Sequence, residues 1–206
     1  MRRSFLVGIV PVLAFAAVSF ASTREAHAGP IIGLDFDLGT ALNSQGSDFS
    51  TGGGLRLGYR FGFPGSWLYL QPELGGKFMA FGVGDSNAIG YDHAGIVNAG
   101  LKIGLAGIVQ PNIFGHLGLG IMSYADGSGG DTGYIGPAAD VGAGLDFRIV
   151  PGFLLGAQVA YNSVAVPAAN SPDAAKWLTF GLNATFHIGE PRPRPVYVQP
   201  VYYRRY

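Results

Sequence analysis

The stretch that decides the fold is GLRLGYRFGFPGSWLYLQPELGGKF, residues 54–78. Apolar side chains occupy every second position from Leu55 to Phe63, and two arginines, Arg56 and Arg60, stand at positions between them. The chain then reaches a Pro-Gly pair and alternates again. A period of two residues is the period of a β-strand. The stretch therefore predicts two strands joined by a tight turn.

The same alternation recurs along most of the chain after residue 28. Apolar runs on one parity begin near Ile32, Leu55, Leu68, Val97, Ile113, Ile135, Phe153 and Leu178. Short turn signals at 64–66, 110–112 and 151–152 separate some runs, and longer polar links at 43–53, 82–90, 125–133 and 165–176 separate the others. Eight strands of about ten residues, with short and long links in alternation, are typical of outer-membrane barrels.

Composition decides which face of these strands meets water. The 206 residues are 48% hydrophobic and only 13% charged, and 34 of them are glycine. A soluble barrel would turn the apolar parity inward and leave a glycine-rich face in water. The interior of an eight-stranded barrel has room only for side chains, so small glycines suit the inside and the apolar parity suits lipid. We predict an all-β fold, an eight-stranded antiparallel up-and-down transmembrane β-barrel.

The two ends of the chain differ from the strands between them. Two arginines precede an apolar run that ends in the small residues of Ala26-His27-Ala28. This pattern predicts a signal peptide over 1–28, with a retained membrane anchor as the alternative. The barrel is predicted over 29–189, followed by a Pro/Arg/Tyr-rich periplasmic tail over 190–206. The tail is either a disordered end or a contact for peptidoglycan, acidic lipid or a periplasmic partner.

Transmembrane helices are the alternative interpretation of the apolar sequence. The uncharged windows 103–125 and 149–172 are long enough for transmembrane helices, but proline, glycine and a period of two argue against them. Aromatic residues collect near both ends of the predicted strands, Phe114 at the short-turn end and Phe81 at the loop end among them. We expect them to form two interfacial girdles.

Residues 30–188 resemble the small eight-stranded outer-membrane barrels of Gram-negative bacteria, the outer-membrane protein A and X type. The last strand, TFGLNATF at 179–186, resembles the C-terminal signal that these barrels present to the barrel assembly machinery. The resemblance implies that Thr179, Gly181 and Phe186 carry this signal. It also implies a location in the cell outer membrane, among outer-membrane lipid and lipopolysaccharide.

Charged residues on the inward parity suggest what fills the lumen. Five are acidic and five are basic: Asp35, Asp37, Glu73, Asp140, Asp146, Arg56, Arg60, Lys77, Lys102 and Arg148. Buried charges are tolerated when they are paired and hydrogen-bonded, so we predict a lumen charge network that acts as a polar plug. The alternative is a narrow channel for small polar solutes. His116 and His187 share the parity and are predicted to belong to the network.

The remaining features bear on function class. A net charge of zero argues against a nucleic-acid partner, and no cysteine is present to bind zinc or form a disulfide. DGSGGD at 126–131 offers oxygen ligands but lacks the spacing of a calcium loop, so no metal and no cofactor are expected. We predict a non-enzyme with a structural or surface-interaction role and no catalytic residue. The less favoured alternative is a lipid A-modifying acyl enzyme that uses Asp85, Ser86 and His93.

Overall fold

Eight antiparallel strands close into one barrel in sequence order. We analysed a computed structural model, which describes residues 28–42, 49–63, 65–81, 89–126, 131–165 and 174–188. The strands are β1 (Gly29–Ala41), β2 (Ser50–Gly62), β3 (Leu68–Phe81), β4 (Ile89–Leu105), β5 (Val109–Asp126), β6 (Asp131–Val150), β7 (Phe153–Val164) and β8 (Ala175–His187). The predicted fold class is confirmed. The predicted signal peptide up to residue 27 and the predicted tail over 190–206 lie outside the described residues.

The strands are longer than the sequence pattern predicts. They span 12 to 20 residues, and β4, β5 and β6 are the longest. The predicted turn at 110–112 is wrong, because these residues lie in β5 and the chain turns at 106–108 instead. Pro111 is accommodated because it has a paired residue on β6 but none on β4. A proline in a strand is tolerated where its missing N–H is not needed.

Short links gather at one end of the barrel, the short-turn end, and longer links at the other, the loop end. The link between β6 and β7 is the pair Pro151-Gly152, and Gly152 has a φ of 81°. Gly65, between β2 and β3, has a φ of 73°. Residues that carry a side chain rarely adopt such positive φ values, so glycine permits both tight turns.

The pairing register fixes the width of the barrel. We followed the residues that are paired in the register from Gly62 on β2 through each strand in turn. The path returns to β2 at Gly52, ten residues from its start, and this distance is the stagger of the barrel. With strands about 4.8 Å apart and a rise of about 3.3 Å per residue, this stagger gives a strand tilt of roughly 40°. An eight-stranded barrel of this tilt has an interior that side chains can fill.

The outward face is apolar. Leu117 is 73% exposed, Val97 66% and Ile113 62%, values that belong to the surface although the side chains are apolar. Away from the loop end, no outward position that the structure describes carries a charged side chain. The predicted parity of these strands is confirmed. Among the described residues, no helix is long and apolar enough to cross a membrane.

The inward face is divided into a polar part and an apolar layer. Nine buried apolar side chains form this apolar layer near the loop end: Met79, Phe81, Ala94, Ile96, Met122, Ala138, Val164, Ala175 and Trp177. The alternation predicts only glycine and charge on the inward face, and the positions of Phe81 and Phe114 near the strand ends predict outer girdles. Both assignments are wrong, since Phe81 is 2% and Phe114 8% exposed. Where no charge partner is available, filling a narrow interior with apolar side chains excludes water.

Candidate functional site

Arg56 on β2 organises the middle of the lumen. Its Nε donates to Asp35 Oδ2 at 2.7 Å and its Nη2 to Asp35 Oδ1 at 2.8 Å, a two-point contact with β1. Its Nη1 donates to Glu73 Oε1 on β3 at 3.0 Å. The planar guanidinium matches two carboxylates in this way because its N–H groups diverge in one plane. One side chain therefore joins three neighbouring strands.

His116 on β5 continues the network across the lumen. Its Nε2 lies 3.1 Å from Glu73 Oε2 and its Nδ1 lies 2.6 Å from Asp140 Oδ1 on β6. Both ring nitrogens face carboxylate oxygens, so both donate only when the ring is an imidazolium cation. Asn98 on β4 donates from Nδ2 to Asp140 Oδ2 at 2.6 Å. The geometry therefore assigns His116 a positive charge between two acids.

Gln158 on β7 completes the set. Its Nε2 donates to Asp35 Oδ1 at 3.3 Å. We call the connected side chains the lumen network: Asp35, Arg56, Glu73, Asn98, His116, Asp140 and Gln158. Each comes from a different strand, β1 to β7 in that order. The network thus cross-links seven of the eight strands through the inside of the barrel.

A second polar layer fills the short-turn end. Arg60 donates from Nε to Gln71 Oε1 and from Nη1 to Gln110 Oε1, both at 2.9 Å. Its guanidinium lies 3.8 Å from the centre of the Tyr69 ring, a cation–π contact. Lys102 Nζ lies 3.7 Å from Asp146 Oδ2 in the same part of the lumen. These side chains are buried and close the lumen below the lumen network.

The side towards the loop end carries one more ion pair below the apolar layer. Lys77 Nζ lies 3.0 Å from Asp37 Oδ2. Farther out, Trp177 and Phe81 pack edge to face, with ring centres 5.7 Å apart. The lumen is therefore filled by three successive zones, polar at the short-turn end and in the middle, and apolar near the loop end.

Little space remains between these side chains. The cavity beside the lumen network has a volume of about 30 Å³ and is lined by Asp35, Arg56, Lys77, Asn98, Phe114, His116, Asp140 and Gln158, with Gly75 and Gly76. A cavity of this volume holds about two water molecules. It lies between charged side chains and is too small for a water column.

The structure places the ten predicted lumen residues as follows. Eight of them lie in ion pairs: Asp35, Asp37, Arg56, Glu73, Lys77, Lys102, Asp140 and Asp146. Arg60 contacts the side-chain amides of Gln71 and Gln110 and the ring of Tyr69. Arg148 faces inward at the short-turn end and is partly exposed. The neutral bridging residues Asn98, Gln110 and Gln158 were not predicted. Their inward parity could have identified them as members of the network, because a buried uncharged amide also needs a hydrogen-bond partner.

The barrel is similar to solved outer-membrane barrels. No protein-family model matches the chain, and no curated protein does. Neisserial surface protein A aligns with a TM-score of 0.59 at 16% identity, covering 78% of this chain and 99% of that protein. Ail, the attachment invasion locus protein of Yersinia pestis, aligns with a TM-score of 0.50 at 20% identity, covering 79% and 98%. The chain has the fold of the small eight-stranded outer-membrane barrels.

In this outer-membrane barrel fold, the residues of the predicted assembly signal take different positions. Thr179 is buried and accepts a hydrogen bond from Asn162 Nδ2 at 3.2 Å. Gly181 faces inward, and a side chain there would overlap the Asp37 carboxylate. Phe186 is 44% exposed on the outward face, with its ring 4.9 Å from that of Phe153. Thr179 and Gly181 thus also pack the lumen, and the assembly role of all three stays a prediction.

Two predictions about the loop end concern residues that the structure does not describe. Asp85 and Ser86 lie outside the described residues, as does most of the 126–131 stretch. Among the described residues, no group of three or more acidic or histidine side chains is placed to hold a metal ion.

Proposed function

We propose that this protein is a barrel of the cell outer membrane with a closed lumen and a structural or surface-interaction role. The continuous apolar outward face supports the membrane placement, since only paired backbone and apolar side chains suit hydrocarbon. Outer-membrane lipid and lipopolysaccharide are then its neighbours, and the barrel assembly machinery inserts it. A contact of the tail with peptidoglycan or a periplasmic partner is part of the same proposal.

The lumen network is the observation that carries the closed lumen. A hydrated ion could pass only if Arg56 or His116 left its carboxylates. Breaking a buried ion pair by withdrawing one partner costs about 3 to 5 kcal/mol. Since Arg56 and His116 share Glu73, moving either one also weakens the contact of the other with the same acid. The network is therefore a stable plug at rest.

The two flanking zones strengthen this conclusion. Gln71 and Gln110 are fully buried at the short-turn end, beside Tyr69. At the loop end, Met79, Met122 and Trp177 present apolar surface that an ion would have to cross without its hydration. A solute would have to displace all three zones in turn. A stable surface scaffold fits this interior better than a transport path does.

Conductance recording tests the proposal. The refolded full-length protein, inserted into planar lipid bilayers, should give no steady open current. A variant in which Arg56, Arg60, His116 and Met79 are all alanine loses a large side chain from each of the three zones and should conduct, which controls for correct insertion of the barrel. Steady, ion-selective current from the wild-type protein would overturn the closed lumen and establish the narrow channel instead.

A further inference from the structure

The outward face of the barrel is not evenly covered by side chains. A groove of about 690 Å³ opens on it across β2 to β6. Outward glycines form its floor and apolar side chains stand around them: Gly53, Gly76 and Gly95, with Leu55, Val97 and Leu119 among the walls. Every side chain that faces outward from this lining is apolar. We call this depression the outer groove.

Missing side chains give the outer groove its depth. Among the described residues, a Cβ at Gly95 would meet no atom within 4 Å, and one at Gly76 would meet only the carbonyl oxygen of Ile96, at 3.8 Å. The neighbouring side chains do not close this space, since Val97 is 66% and Leu119 62% exposed. Apolar atoms beside an unfilled space lose dispersion contacts on that side. An apolar molecule from outside the chain therefore gains contacts on several sides by entering the groove.

The length of the groove is that of a lipid chain in one leaflet. A second cavity of about 270 Å³ shares Gly76 and Val97 with the outer groove and continues it to Leu74. Together the cavities follow β3 from Phe78 to Leu74, a distance of about 13 Å at a rise of about 3.3 Å per residue. The hydrocarbon of one leaflet is about 15 Å thick, half of the bilayer core.

The position of the groove selects the leaflet. Gly53 lies three residues from the loop end of β2 and nine from its short-turn end. Gly95 lies six residues from the loop end of β4 and ten from its short-turn end. The longer links of outer-membrane barrels face the outside of the cell. The groove therefore opens to the outer leaflet, whose lipid in the proposed membrane is lipopolysaccharide.

The shape of the groove favours a lipid chain over a second copy of the protein. A barrel is convex, so two outward faces that meet would touch at raised residues such as Leu55, Val97 and Leu119 and leave the glycine floor empty. An acyl chain is thin and flexible, and it can lie on the glycine backbone between these residues. The groove is also continuous with the apolar face that is placed in hydrocarbon.

We propose that the outer groove holds one acyl chain of a lipopolysaccharide molecule. Its volume and apolar lining are those of a site for an apolar ligand. This inference rests on the proposed membrane placement and does not depend on whether the lumen is closed. The side chains that close the lumen face the opposite side of the same strands.

Photo-crosslinking from two matched positions tests the occupant. Leu119 lines the groove and is 62% exposed, whereas Leu182 on β8 is 60% exposed and lies outside both cavities. Each is replaced in turn by p-benzoylphenylalanine in the full-length protein, which is refolded into phosphatidylethanolamine–phosphatidylglycerol vesicles that contain lipopolysaccharide. Irradiation should give at least about five-fold more lipopolysaccharide adduct at position 119 than at position 182, because a bound chain stays beside the probe.

A filled groove tests the glycine floor. Gly95→Leu adds a side chain where the backbone has open space, so the barrel should fold as before while the new side chain takes the place of the lipid chain. The adduct at position 119 should then fall at least about five-fold. Ala184→Leu, an outward change on β8 outside both cavities, is the matched control and should leave that adduct within about 1.5-fold. Heat-modifiable migration confirms that each variant is folded.

The outcomes separate this inference from the proposed function. Equal lipopolysaccharide adducts at positions 119 and 182 would overturn the groove as a binding site and leave the membrane placement standing. An adduct between two protein chains at position 119, or more phospholipid than lipopolysaccharide adduct there, would overturn the occupant. The absence of any lipid adduct at both positions would overturn the membrane placement itself.

Discussion

Gly100 on β4 is directly opposite His116 on β5, and a methyl group on Gly100 would overlap the His116 side chain and the neighbouring backbone. The imidazole can reach both Glu73 and Asp140 because glycine leaves this space open. A small residue on one strand thus makes room for a large charged residue on the next. The glycines of the inward parity and the charges between them form one packing arrangement.

This arrangement predicts different results for two glycines of the same strand. Gly100→Ala should destabilise the barrel by about 1 to 3 kcal/mol, because the added methyl group must push His116 or the strand aside. Gly95→Ala should change stability by less than about 0.5 kcal/mol, since nothing lies within 4 Å of its Cβ. Urea unfolding in liposomes, followed by the shift between folded and unfolded gel bands, measures both. Equal effects would contradict the packing described for Gly100.

Arg56→Gln tests the lumen network directly. The substitution removes the cation that Asp35 and Glu73 share, and Gln is too short to contact both acids in the same way. We expect a loss of about 3 to 5 kcal/mol in unfolding free energy, less where lumen water screens the acids. Adding Asp35→Asn should recover part of this loss, because it removes one of the two unpaired charges. An unchanged unfolding curve accompanied by altered conductance would favour the channel.

The alternation of residues was sufficient to predict the strand number, the antiparallel order and the direction in which Asp35, Arg56 and Glu73 point. It could not predict their partners, because the ten-residue stagger sets which inward side chains share a height. The residues of the apolar layer, such as Met79 and Trp177, were missed because apolar character was taken to mean the outward face. An inward apolar residue carries no local signal of its own. Its side is apparent only from the parity of its charged neighbours.

The strand ends were also beyond the pattern. β5 ends at Asp126 and β6 begins at Asp131, whereas the pattern placed 125–133 in a link. Asp126 and Asp131 lack the apolar alternation that identifies a strand, and pairing with Ile89 and Ala125 holds them in the sheet. The turn at 110–112 was predicted wrongly for a related reason. Whether a strand can contain Pro111 depends on whether the missing N–H faces a neighbouring strand, and the sequence does not show this.

Phe186→Asp tests the assembly signal. Phe186 faces outward near the short-turn end, so aspartate there would place a charge where the resemblance implies a recognised aromatic residue. The variant should appear more slowly as folded, heat-modifiable barrel in pulse-chase experiments. Ile188→Asp, a nearby outward residue outside the signal, is the matched control and should delay assembly less. An assembly rate equal to that of the wild type in Phe186→Asp would remove the assignment.

Orientation is tested by epitope insertion. Short turns of outer-membrane barrels face the periplasm and longer links face outward. An epitope inserted near Ser128, in the link between β5 and β6, should therefore be stained on intact cells. One added after Tyr206 should be stained only after permeabilisation. The reverse pattern would invert the topology.

The hydrogen bond from Gln158 to Asp35 passes over β8 and spans the seam where the first and last strands meet. If that seam opened sideways, Asp35 would lose the amide of Gln158, and the charged side chains of the lumen would be exposed to hydrocarbon. Lateral opening is therefore penalised by the contents of the lumen as well as by the lost backbone pairing of β1 with β8. A barrel with such an interior resists peeling from its seam, because opening the seam would expose buried charges to lipid.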